Sequence, residues 1–170
     1  TDISSLYMDD GYLFFRVTPV ETAIIGDSID VEMRMYEGPQ ATINEVIISG
    51  NDKTNDHVIR RELRTLPGQK FNRSLLIRTQ RELSQLGYFD PEQVNPVPTP
   101  NPADETVDIE WQLVERPNDQ IELSGGWGGN FGFIGTLGLS FNNFSVRNIP
   151  HFDKWRPLPM GDGQKFSVRM

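Results

Sequence analysis

The chain has 170 residues, with 24 Asp and Glu against 16 Lys and Arg, and a formal net charge of −8. That balance excludes nucleic-acid binding over the whole surface, so no nucleic-acid partner is expected. Cysteine is absent, which excludes disulfides and thiolate metal sites, and no run of about 18 apolar residues offers a membrane helix.

Residues 1–15 read as the end of a helix and its exit. Ile3, Leu6 and Tyr7 share a face, and Gly11 supplies a left-handed C-terminal cap. Residues 16–20 form a short strand and 21–28 a turn. Residues 29–37 alternate, with Ile29, Val31, Met33 and Met35 on one face, as a half-buried strand requires.

A complete unit follows. Residues 41–50 form a strand closed by Gly50-Asn51. Val46 and Ile48 point to one face, Ile43 and Ile47 to the other, so the pattern leaves its inward face open. Thr54 is the expected N-cap of a first helix running to about Thr65, with Asp56 in its first turn and Ile59, Leu63 and Leu66 on one face. Pro67-Gly68 breaks it. Asn72 caps a second helix in which Leu76, Thr79, Leu83 and Leu86 share a face and Gly87 is the stop. Tyr88-Phe89 swings back onto the core. Residues 93–98 form a short strand, 99–105 a proline-rich connection, and 106–115 a strongly alternating strand with Val107, Ile109, Trp111 and Leu113 inward.

The strand at 107–115, Val-Asp-Ile-Glu-Trp-Gln-Leu-Val-Glu, repeats 29–37, Ile-Asp-Val-Glu-Met-Arg-Met-Tyr-Glu. Each copy follows a glycine-tyrosine turn, at Gly11-Tyr12 and Gly87-Tyr88, and each ends in x-Pro, at Pro39 and Pro117. Two copies of one small module are therefore expected, the first without its front half, as in a piece of a longer protein.

After Pro117 the composition changes, and seven of the fifteen glycines fall within 125–138. Residues 120–127, 133–141 and 164–170 each alternate. Phe133, Leu137, Leu139 and Phe141 lie opposite Ile134, Thr136, Gly138 and Ser140. One greasy and one small or polar face suits either a membrane β-barrel or the edge of a soluble sandwich.

No catalytic constellation stands out, and the chain is not read as an enzyme. His57 and His151 lack metal-ligand spacing, so no catalytic, metal or cofactor residues are assigned. The run Gly125 to Gly129 is followed by an alternating strand rather than a helix, which argues for strand curvature and lumen space over phosphate binding. Arg60, Arg61, Arg64, Arg73, Arg78 and Arg81 lie on the two helices. They are either a solvated face or a docking patch for an acidic partner or lipid head groups. Pro96 and Pro98, two apart, delete N–H donors from one side of their strand, which places it at a sheet edge and blunts that edge. Pro19 sits similarly in the first copy.

The strand-helix-helix-strand-strand unit resembles a POTRA domain. The residues that carry the likeness are Val46-Ile47-Ile48-Ser49-Gly50-Asn51, Val58-Ile59-Arg60-Arg61-Glu62-Leu63 and Leu86-Gly87-Tyr88-Phe89. Residues 119–170 resemble the opening barrel strands of outer-membrane protein assembly factors of the BamA type. The long stretch 144–163, with Pro150, Pro157 and Pro159, departs from the short turns usual at that place.

The resemblance implies an α+β chain: the C-terminal part of a POTRA domain at 1–39, a membrane-proximal POTRA domain at 40–117, and the first strands of an outer-membrane barrel at 118–170. It implies a Gram-negative outer-membrane protein whose POTRA domains stand in the periplasm and bind unfolded client proteins and accessory outer-membrane lipoproteins. The barrel would meet the lipid bilayer. Its first strand, expected at Gln120, Ile121, Glu122, Leu123, Ser124, Gly125, Gly126 and Trp127, would act as a gate. The other readings are a two-partner secretion or lipid-handling transporter of the same superfamily, and a structural periplasmic adaptor.

Overall fold

The computed structural model describes every residue except Thr1, Asn118, Asn130, Phe131, Arg156 and Pro157. The elements run α1 (Ile3–Asp9), β1 (Arg16–Ile25), β2 (Ser28–Tyr36), β3 (Thr42–Ser49), α2 (Asp56–Arg60), α3 (Arg73–Gln85), β4 (Asn95–Asn101), β5 (Thr106–Gln112), β6 (Gln120–Gly128), β7 (Gly132–Phe144) and β8 (Gln164–Arg169). They make three sheets, in the orders β1-β2, β3-β5-β4 and β6-β7-β8. The α+β strand-helix-helix-strand-strand unit is therefore present as β3-α2-α3-β4-β5. The chain divides into two compact units, one of Thr1–Ile47, Leu63–Arg81 and Pro96–Trp111, the other of Ile48–Glu62, Glu82–Asn95 and Gln112–Met170.

In the first unit, α1 closes as expected. The Gly11 N–H bonds to the Met8 carbonyl and the Tyr12 N–H to that of Tyr7, with Gly11 at φ +94°. The expected turn at 21–28 is mostly strand. β1 continues to Ile25, pairs Ile25 with Ser28, and turns in the two residues Gly26-Asp27. A register shift between Glu21 and Ala23 absorbs one extra residue, a bulge within the stretch read as a turn. The matching face of β2 is not half-buried. Ile29, Val31, Met33 and Met35 are all exposed.

The core of this unit gathers Phe15, Ala41, Ile43, Val46, Leu63, Phe71, Leu76, Val107, Ile109 and Trp111. Val107, Ile109 and Trp111 are fully buried, so the inward register of β5 stands as read. Ile43 and Val46 are both buried although they have opposite parity. The Ile43 backbone turns aside to bond Gln69 and Gly68, which resolves the ambiguity in that strand. The start of α3 is capped twice. Asn72 Oδ1 accepts from the Leu75 N–H at 2.7 Å, and the Asp9 carboxylate accepts from the Ser74 N–H at 2.7 Å and the Ser74 hydroxyl at 2.6 Å.

In the second unit, α2 is shorter than expected and begins one residue later. Its N-cap is Asn55, not Thr54, and it ends at Arg60. The Glu62 N–H bonds three residues back to the Ile59 carbonyl, which tightens the last turn and releases the chain. In the first unit, the Arg64 N–H is then taken by Thr79 Oγ1 at 3.0 Å, so the helix cannot continue to Thr65. Leu66, expected on the buried face, is exposed. The second unit's buried side chains include Val58, Ile59, Leu83, Phe89, Val94, Leu113 and Phe144. Strand β4 runs on to Asn101, through residues expected to be connection. Between β7 and β8 the chain makes two short 3₁₀ turns, Val146–Asn148 and Phe152–Lys154; Pro157 lies outside the described residues.

Candidate functional site

Strand β6 forms because Gln120 to Gly128 alternate, and its partner β7 alternates in phase. Ile121 faces Leu139, Leu123 faces Leu137, and Trp127 faces Phe133. Leu139 and Phe141 in turn face Val168 and Phe166 of β8. Because paired residues share a face, these side chains make one apolar surface three strands wide. Ile121, Leu123, Trp127 and Phe133 are each at least 73% exposed, an unusual density of bare apolar side chains.

The opposite face is small and polar apart from Ile134, which pairs with Gly126. Gln120, Ser140 and Ser167 form one rung. Glu122, Gly138 and Arg169 form the next, and there the Arg169 guanidinium reaches Glu122 Oε2 at 3.0 Å across the bare Gly138. The glycines divide between the faces. Gly126, Gly128 and Gly138 lie on the polar side, but Gly125 and Gly135 lie on the apolar side, where the Phe133 ring rests over them. Only part of the glycine run therefore leaves open space on the polar face.

Among the described residues, strand β6 is paired on one side, by β7. Its eight candidate residues Gln120 to Trp127 are all exposed, and none is proline, so each keeps its N–H donor. Strand β4 is also an edge, beside β5. Pro96 and Pro98 sit in it as the sequence required, and Pro100 continues their spacing within the strand. The two edges are chemically unlike: one offers a full ladder, the other lacks every second donor.

The six arginines divide between the units, and Arg61 and Arg64 lie past the end of α2 rather than on a helix as expected, because the helix stops at Arg60. Arg60 and Arg61 belong to the second and are paired, with Asp56 at 2.5 Å and Glu62 at 3.1 Å. Arg64, Arg73, Arg78 and Arg81 belong to the first, where Arg73 bonds the Ser5 hydroxyl. His57 lies 3.7 Å from Asp162 Oδ1, a contact across the long β7–β8 connection that the sequence did not reveal. Among the described residues no group of three or more His, Asp or Glu is arranged to hold a metal, and no helix is long and apolar enough to cross a membrane.

Residues 41–116 match the family described as POTRA, surface antigen variable number repeat. The chain is 35% identical over 116 residues to the outer membrane protein assembly factor BamA of Neisseria meningitidis serogroup B, covering 68% of this chain and 14% of that protein. It is 27% identical over 139 residues to the BamA of Neorickettsia risticii, covering 82% and 18%. In fold it resembles the crystal structure of BamA from Haemophilus ducreyi lacking POTRA domains 1–3, with a TM-score of 0.73, 21% identity, and coverage of 98% of this chain and 29% of that one. It also resembles POTRA domains 3–5 of Haemophilus influenzae BamA, with a TM-score of 0.59, 22% identity, and coverage of 66% and 44%. The chain thus spans less than a fifth of the length of these two curated relatives. By its POTRA match at 41–116, its relatives and its fold, the chain belongs with the outer-membrane protein assembly factors of the BamA type.

Proposed function

We propose that this chain is part of a machine that assembles and inserts proteins in the Gram-negative outer membrane. In this reading residues 1–39 end one POTRA domain, 40–117 are the membrane-proximal POTRA domain, and 118–170 begin the barrel. The POTRA domains stand in the periplasm and receive unfolded clients and accessory lipoproteins. The apolar face of β6–β8 meets lipid and the polar face lines the lumen, and strands of nine and thirteen residues are long enough to span when tilted. Arg60, Arg61, Arg64, Arg73, Arg78 and Arg81 are candidates for docking an acidic partner or lipid head groups. No catalytic group is required, because strand addition makes only main-chain hydrogen bonds.

The observation that carries this reading is β6 itself. Among the described residues it pairs with β7 alone, it carries every N–H donor, and it lies on an apolar face three strands wide. An incoming client strand would find there a complete ladder of N–H and C=O groups with little demand on its sequence. The proline-blunted edge of β4 offers no such ladder. Photo-crosslinkers placed singly at residues 93–98 and 120–127 of the intact protein test this during client insertion. Crosslinks to client concentrated along 120–127 are expected. Strong crosslinks along 93–98 with none at 120–127 would overturn it.

A further inference from the structure

The β7–β8 connection is far longer than a turn needs, and its polar side chains are buried rather than solvated. Asn143, Ser145 and Asn148 are at most 7% exposed. Ser145 and Asn148 bond within the connection, to Asp162 and to the Met160 carbonyl, while Asn143 reaches the loop before α2, within the same unit. Asn143 Nδ2 donates to Thr54 Oγ1 at 2.9 Å, and Thr54 is itself 2% exposed. The Asn55 N–H donates to the Gly161 carbonyl at 2.9 Å, and Asn55 Nδ2 donates to Asp162 Oδ1 at 2.7 Å. Ser145 Oγ donates to the other carboxylate oxygen of Asp162 at 2.7 Å. The Tyr88 hydroxyl donates to the Gly163 carbonyl at 2.9 Å.

The fit leaves no slack. A Cβ at Gly161 would stand 2.8 Å from the Lys53 carbonyl oxygen, with φ already at +125°. The Lys53 and Thr54 N–H groups are held by the Glu115 carboxylate at 2.9 and 2.6 Å, so that loop cannot back away freely. The Asp162 carboxylate ties both sides together, and the charged groups facing it are His57 and Arg147. A buried network of this kind holds only while its members are partnered, because each stranded polar group loses both its partner and its water. Such a joint is either closed or open, with little between.

We propose that residues 143–148 and 160–163 are a latch that fastens β7 and β8 to the loop preceding α2, with Asp162 as the positioning residue that closes it. The latch itself stands on geometry alone. Its consequence for insertion rests on the reading above: among the described residues β7 is the strand paired with β6, so movement of the α2 loop would reach β6 through β7.

Hydrogen exchange read by mass spectrometry on the detergent-solubilised chain tests the latch. Asp162→Ala is expected to speed exchange in peptides covering 51–58 and 158–165 by about tenfold or more, while the β1–β2 hairpin keeps its native rate. Asp162→Asn, which retains an acceptor for Asn55 and a partner for Ser145, should do markedly less. Unchanged exchange in both peptides of Asp162→Ala would overturn the latch. So would a uniform rise that includes the hairpin, since Asp162 would then support only the global fold. The readout needs no insertion activity. A latch that opens in a protein that inserts nothing would sink the functional reading and leave this one standing.

Discussion

Trp111→Ala is expected to destabilise the chain by about 3 kcal/mol, and two opposing effects set that figure. The indole is fully buried on the inward face of β5, alongside Val107 and Ile109. A buried tryptophan withdraws roughly 150–250 Å² from water, worth about 4–6 kcal/mol at about 25 cal/mol per Å². Against this, Trp111 Nε1 is buried with no hydrogen-bond partner among the described residues, which costs about 1–3 kcal/mol. Alanine removes both the area and the stranded donor. Trp111→Phe removes the donor and keeps most of the area, so it should fall within about 1.5 kcal/mol of the parent. Urea titration followed by far-ultraviolet circular dichroism measures both, as a lowered midpoint at unchanged slope. An alanine loss below about 1 kcal/mol would show that Trp111 is not core. A phenylalanine loss equal to the alanine loss would show that the donor is satisfied and the reasoning wrong.

Gly50→Ala should be worse than its size suggests, by at least about 3 kcal/mol. At φ +83° its new Cβ would stand 1.8 Å from the Leu113 carbonyl oxygen, a backbone atom beside the Leu113 N–H bond to Ser49. A melting temperature equal to the parent's would refute this. Asn72→Ala should cost about 1–2 kcal/mol, because the Leu75 N–H loses its cap and the Asp9 carbonyl loses a donor; thermal unfolding reads it, and no shift would refute it. Acid stability should depend on Asp162. Burial alone would raise its pKa, but hydrogen bonds from Ser145 and Asn55 and the charges of His57 and Arg147 outweigh burial and hold it below the usual carboxylate value. A depressed folded pKa means the stabilisation is complete above the unfolded value of about 4 and is lost as pH falls through the folded one. Urea midpoints of Asp162→Asn should therefore fall less steeply than the parent's over that range, and equal slopes would refute the assignment.

Side-chain periodicity carried the reading wherever one residue's face followed from its neighbour's. The alternation of Val107, Ile109 and Trp111 predicted their burial, and the doubled prolines placed β4 at an edge before any topology was known. It failed where a long-range partner decided the local structure. Nothing near Arg64 in sequence announces that Thr79 will take its N–H and stop the helix. Nothing in 21–28 announced that an extra residue at Thr22 would be absorbed as a bulge and let β1 run on to Ile25. Thr54 has the chemistry of a cap, yet its hydroxyl accepts from Asn143, 89 positions away. The alternating faces of β6 and β7 were legible, whereas the network around Asp162 was not, because asparagine, serine and glycine in a proline-rich stretch look the same whether solvated or buried.

The double cap on α3 bears on how the protein folds. Half of it comes from Asp9, far upstream of the helix it completes. A fragment cut at 41–116 would keep Asn72 but leave the Ser74 amide to water, and its longest helix would fray at the first turn. Ordering of the leading residues and nucleation of α3 are thereby made one cooperative event. Excising the POTRA domain at the limits of its sequence match would yield a less stable piece than the same residues have in place, and extending the fragment to include Asp9 should restore the difference.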